Sequence, residues 1–159
     1  MENNILKLTE DNNIEGVRKA IAEGVDVNFQ DEYCRTALIM ASHFGYIEIV
    51  KLLIKEAGAD LNIKYACGRT ALMMASWNGD NEIVKLLIEG GANLNIQDEN
   101  GETALMIAVR YNRFEIVKLL VEAGVNKDIK HNAGRTALDF AKKERDRHQE
   151  IVELLTTKN

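Results

Sequence analysis

Two serines, three histidines and two cysteines are the side chains of this chain that lend themselves to nucleophilic or metal chemistry. Ser42 and His43 are neighbours, which raises a nucleophile–base pair. Adjacent residues of a helix point in different directions, so the two cannot share a proton there. Ser42 and Ser76 are read instead as small residues at tight helix contacts. His43, His131 and His148 lie far apart and lack ligand spacing. Cys34 and Cys67 form neither a CxxC unit nor a disulfide framework, and they fit a reducing compartment. No GxGxxG or GxxxxGKS/T phrase is present to cradle a phosphate. These residues predict no catalytic, cofactor or metal site, and an enzyme is disfavoured.

Bulk composition narrows the class further. The 159 residues are 46% hydrophobic and 28% charged, as expected of a folded globular chain. A net charge of −5 argues against a general nucleic-acid or anionic-membrane binder. No apolar run approaches the roughly 18 residues of a membrane span. Met1-Glu2-Asn3-Asn4 has neither the basic start nor the apolar segment of a secretory signal, so the cytoplasm is the expected compartment.

The organisation lies in repetition. Thr-Ala-Leu-x-x-Ala begins at Thr36, Thr70, Thr103 and Thr136, at spacings of 34, 33 and 33. Eight residues after the first three closing alanines comes Ile-Val-x-Leu-Leu, at Ile49, Ile83 and Ile116. A fourth copy at Ile151 arrives two residues late, with the extra residues placed within Arg145 to His148. A third phrase follows, as Gly24 to Asn28, Gly58 to Asn62 and Gly91 to Asn95, with a degraded copy at Gly124 to Asp128.

Each phrase has a local meaning. A threonine hydroxyl before Ala-Leu can accept a free backbone N–H at a helix start. The Ile-Val-x-Leu-Leu stripe is broad enough to pack on more than one side. Glu48, Glu82 and Glu115 suit the positive ends of the second helices, and Lys51, Lys85 and Lys118 lie three residues on for weak pairing. The glycines suit helix ends, and the Asn and Asp residues after them suit turns. The unit is thus helix, short turn, longer helix and projecting loop, and it buries its apolar face only when stacked. We divide the single domain at 1–30, 31–64, 65–97, 98–130 and 131–159, the first unit lacking the Thr-Ala-Leu phrase. Met40, Met73, Met74 and Met106 fall where core filler is needed. Ser42, Ser76 and Val109 follow the closing alanines inside the stack. Lys142 takes that place in the last unit, as an uncovered end requires. The mixed-sign run Lys142 to Arg147 reads as a solvated cap.

A period of 33 with these phrases resembles the ankyrin repeat over essentially the whole chain. Thr-Ala-Leu stands where the family has Thr-Pro-Leu, and the family histidine is replaced by Ile39, Met73, Met106 and Asp139. Cys34 occupies a loop position usually held by glycine. The resemblance implies an all-α ankyrin-repeat solenoid of about five stacked helix-turn-helix units with projecting β-hairpin-like loops. It also implies a protein-protein interaction module that binds through loop tips and the inner face of the first helices, with a protein partner and no cofactor, most simply as a monomer.

In that register the loop tips hold Asp31, Glu32, Tyr33 and Arg35; Tyr65, Ala66, Cys67 and Arg69; Asp98, Glu99, Asn100 and Glu102; and His131, Asn132, Ala133 and Arg135. The first helices end on Glu10 and Asp11, His43 and Phe44, Trp77 and Asn78, Arg110 and Tyr111, and Lys143 and Glu144. Five of nine aromatic residues fall among these positions, although a chain short of rings is expected to spend them on its core. Trp77, Phe44, Tyr111 and Arg110 are therefore the expected anchor, with Arg35, Arg69 and Glu102 at its rim. Two alternatives stay open. The rings fold back and merely stabilise the stack, or they join copies of a self-associating structural protein.

Overall fold

A computed structural model describes residues 5–143 and 148–157. Its helices come in five antiparallel pairs: α1 (Ile5–Glu10) with α2 (Ile14–Ala22), α3 (Ala37–Phe44) with α4 (Ile47–Lys55), α5 (Ala71–Asn78) with α6 (Asn81–Glu89), α7 (Ala104–Arg110) with α8 (Phe114–Glu122), and α9 (Ala137–Lys143) with α10 (Gln149–Thr156). The first helices stack on one another from α1 to α9 and the second helices from α2 to α10, giving two layers around one continuous apolar core. No strand is present among the described residues. The only β-like pairing there is an isolated bridge between Tyr65 and Arg69.

The helix starts follow from sequence. Thr36, Thr70 and Thr103 accept the N–H of Ile39, Met73 and Met106 through Oγ1 at 3.2, 3.4 and 3.3 Å. At α9 the cap is reciprocal. Thr136 Oγ1 accepts from Asp139 N, and the Asp139 carboxylate accepts from both the N–H and the hydroxyl of Thr136 at 2.8 and 2.9 Å. That arrangement is a capping box with aspartate in the reaching position.

Packing makes the stack continuous. The α3, α5 and α7 helices are buried on nearly all sides, because they touch both neighbouring first helices and their own partner helix. The second helices bury only one stripe, Ile49, Val50, Leu52 and Leu53 in α4 and their counterparts in α6 and α8. Ser42, Ser76 and Val109 are fully buried while Lys142 is exposed, so the last unit presents a polar outer face. Among the described residues the expected Glu–Lys pairing is realised in α4 alone. Lys51 bonds Glu48 and also reaches Glu82 in the next unit, each at 3.0 Å, whereas Lys85 turns to Glu89.

A second register runs along the ends of the units. Asn28, Asn62 and Asn95 each accept, through Oδ1, the backbone N–H of Asp60, Asn93 and Asn126 in the following unit, at 2.8 to 2.9 Å. Such bonds satisfy turn N–H groups that lie outside any helix. The projecting turns are tied in the same direction. Glu99 N donates to Cys67 O, and Asn132 N donates to Asn100 O. Among the described residues no hydrogen bond joins the Asp31–Arg35 turn to the Tyr65–Arg69 turn.

Candidate protein-binding surface

The four projecting turns share one construction. In each, the first residue's N–H donates to the carbonyl of the residue four later: Asp31 to Arg35, Tyr65 to Arg69, Asp98 to Glu102 and His131 to Arg135. An acceptor side chain at the first position closes three of them from inside. Asp31 Oδ1 takes the N–H of Tyr33 and Arg35, Asp98 Oδ1 takes those of Asn100 and Glu102, and His131 Nδ1 takes that of Arg135. Tyr65 offers no such acceptor. Its turn instead tightens into a single 3-10 turn at Ala66–Gly68, with Cys67 and Gly68 both left-handed. Cys34 is left-handed as well, at φ 59, in the register where the other turns carry Gly68, Gly101 and Gly134.

Charge reinforces the first turn. Burial alone would raise the Asp31 carboxyl, but the N–H groups of Arg35 and Tyr33, together with the Arg35 guanidinium 2.6 Å away, hold it below the usual range. The Asp139 carboxyl is held down by its bonds to Thr136.

The ends of the first helices bring rings together. His43 stacks on Trp77 with centroids 5.8 Å apart and planes 11° apart. Tyr111 meets Trp77 edge-on at 6.2 Å, and Phe44 lies 5.0 Å from His43. Phe44, His43, Trp77 and Tyr111 thus form an unbroken row across three units. Its outer members are open, Phe44 48% and Tyr111 46% exposed. Trp77 itself is half-buried and rests on the core, so the indole is partly a structural wedge. Tyr65 also leans on the core. Tyr33, 58% exposed, stands apart with the Arg35 guanidinium over its ring.

Three rim or tip expectations are corrected. Glu102 is 3% exposed and ion-paired with Arg110, because that guanidinium folds back over the turn. It therefore cannot tune a rim directly. Asp98 is likewise inside, 3.5 Å from Arg69 Nε. The Asn78 amide donates to the carbonyls of Ser42 and His43 and so caps α3, the first helix of the preceding unit. Arg113, not anticipated from sequence, does the same one unit on, donating to Trp77 O at 3.1 Å. Glu144, Arg145, Asp146 and Arg147 lie outside the described residues.

Two hollows flank the ring row. One, of about 240 Å³, lies between the second and third units and is lined by Arg35, Ile39, Met40, His43, Phe44, Tyr65 and Met74. It opens where the turns are not tied. The other, of about 300 Å³, lies between the fourth and fifth units and is lined by Arg110, His131, Arg135, Phe140, Lys143 and His148. Phe140 carried no signal in the sequence, being one ring inside a helical stretch, and His148, which precedes α10, was weighed there only as a metal ligand without partners. Cys34 and Cys67 are both exposed and free. Among the described residues no group of histidine, cysteine and acidic side chains is arranged to hold a metal ion, and no helix is long and apolar enough to cross a membrane.

The repeat register, the two helix layers and the projecting turns agree with comparison to known families. A family model described as ankyrin repeats (3 copies) matches residues 6–98 and again residues 72–159. No curated protein matches the chain significantly. Repeats of this kind generally serve as protein–protein interaction modules and are typically non-catalytic. Matched along nearly its whole length and built of five stacked helix pairs, the chain belongs to the ankyrin-repeat family.

Proposed function

We propose that this chain binds a protein partner across the face formed by its projecting turns and the ends of its first helices, as an adaptor, inhibitor or regulator. The observation that carries this reading is the row Phe44, His43, Trp77 and Tyr111, whose outer rings stay open to solvent beside an apolar hollow. Rings held in place by neighbours lose little freedom on binding, and such positions favour interface hot spots. Tyr33, Arg35, Tyr65, Arg69 and Arg110 border the row. Glu102 and Asn78 act behind it, by holding Arg110 and the end of α3. The exposed, unpaired cysteines support a reducing compartment, the cytoplasm, and a monomer working as a single stack completes the reading.

The test compares affinity capture from the source lysate by the wild-type chain and by a Phe44→Ala, Tyr111→Ala double variant. These two rings are the exposed ones, so their removal spares the core. Lost capture with a melting temperature lowered by only a few degrees and a folded spectrum at the assay temperature supports the reading, and undiminished capture refutes it. Light scattering on the same pair covers self-association, since a dimer dissolved by the double substitution would assign the row to contacts between copies.

A further inference from the structure

The hollow between the fourth and fifth units is unlike the rest of this acidic chain. Arg110, Arg135 and Lys143 bring three permanent positive charges to it, His131 and His148 bring two imidazoles, and Phe140 forms an apolar wall. No carboxylate lines it among the described residues. Arg110 is matched by Glu102, but among the described residues Arg135 and Lys143 have no ion-pair partner. Two uncompensated cations thus face one small space in a protein of net charge −5.

Its groups are also oriented. His131 Nδ1 accepts the N–H of Arg135 at 3.1 Å, which leaves the other ring nitrogen as the donor. The Arg110 guanidinium lies 5.3 Å from the centroid of Phe140, and the His131 ring meets Phe140 edge-on at 5.0 Å. His148 is only 3% exposed, yet its Nδ1 has no hydrogen-bond partner. A buried polar atom in that condition is costly unless something else satisfies it.

We propose that this hollow is a binding pocket for a phosphoryl group carried on a side chain of the partner protein. A phosphoryl group brings a charge of about −1.5 to −2 and three acceptor oxygens, which matches two free cations and the imidazole nitrogens. A volume of about 300 Å³ holds one such group with its stem, not a run of nucleotides. The overall negative charge opposes a polyanion for the same reason. Arg110 precedes Tyr111 in the chain, so the pocket continues the ring row and a single bound segment engages both. The assignment of the phosphoryl group to a protein partner rests on the function proposed above. The chemistry of the pocket does not.

The test is a titration of the whole chain with inorganic phosphate against chloride at fixed ionic strength, followed through the histidine side-chain NMR signals. Saturable shifts of His131 and His148, with His43 unmoved, are expected. An Arg135→Gln, Lys143→Gln variant changes only exposed side chains and should weaken binding about tenfold or more, as expected for loss of charge-assisted bonds. A peptide bearing phosphoserine should compete with phosphate, and its unphosphorylated twin should not. Equal shifts with chloride, or an undiminished response in the double variant, would overturn the pocket. Binding of a single-stranded oligonucleotide without competition by the phosphopeptide would overturn its assignment to a protein partner. The phosphate titration needs no partner, so its outcome is separable from that of the capture experiment.

Discussion

Trp77→Ala is expected to cost stability as well as binding, and the size of that cost follows from where the indole sits. Trp77 is half-buried, stacked on His43 of the unit before and touched edge-on by Tyr111 of the unit after. An aromatic ring system hides about 150–250 Å² when fully covered, so half-coverage removes roughly 100 Å² from water, or about 2.5 kcal/mol at 25 cal/mol per Å². Two ring contacts that bridge units add to this, and partial collapse of the gap subtracts. The net expectation is about 3 kcal/mol, a fall in melting temperature of roughly 6–12 °C for a chain this size. Phe44→Ala removes a ring that is 48% exposed and whose ring contacts among the described residues stay within its own unit, with His43 and Tyr46. It should cost about 1 kcal/mol. Thermal and urea unfolding followed by circular dichroism at 222 nm measures both, with Trp77→Phe as the variant that restores most of the loss. A Trp77→Ala chain that melts within 2 °C of wild type, or no lower than Phe44→Ala, would show that the indole is not wedged between its neighbours.

Cys34→Gly should stabilise the chain by about 1 kcal/mol in urea unfolding, because glycine adopts the left-handed backbone at φ 59 without a Cβ penalty. Asn95→Ala removes the acceptor of the Asn126 N–H and should cost about 1 kcal/mol, with faster amide exchange at Asn126 as the local signature. The carboxyls of Asp31 and Asp139 titrate below the usual aspartate range in the folded chain. Their bonds therefore contribute fully above about pH 4 and are lost as pH falls through the lowered values. Asp31→Asn, Asp139→Asn should flatten that acid limb in melting curves recorded from pH 6 down to pH 2.

Much of the fold was written in short-range chemistry. Thr36, Thr70 and Thr103 cap helices as any threonine before Ala-Leu would, and the Ile-Val-x-Leu-Leu stripes can bury themselves only against a neighbour. At Asp139, which stands in the place of the family histidine, the carboxylate closes a reciprocal cap with Thr136 that the replacement alone does not reveal. The asparagine ladder was visible as a spacing of 34 and 33 residues but not as a bond, because turn propensity alone accounts for asparagine after glycine. The site was harder to see. Whether Glu102 faces water or Arg110 depends on side-chain direction within one unit, and whether Asn78 faces a partner or the end of α3 depends on it across a unit boundary. The basic pocket was hidden for another reason. Its members are drawn from α7, the last turn, α9 and the position before α10, and lie up to 38 residues apart in the linear chain, so no local run of basic residues announces them.

The regular pitch of the stack makes it a ruler. Helices pack about 8–10 Å apart, so the apolar hollow between units two and three and the basic hollow between units four and five stand roughly 20 Å from one another. An extended strand covers that gap in about six residues. On the binding proposed above, a guest sequence would thus be chosen by the interval between its greasy and its charged positions as much as by their identity. Splicing one more unit into the middle of the array would lengthen that interval by about three residues and exchange one set of guests for another.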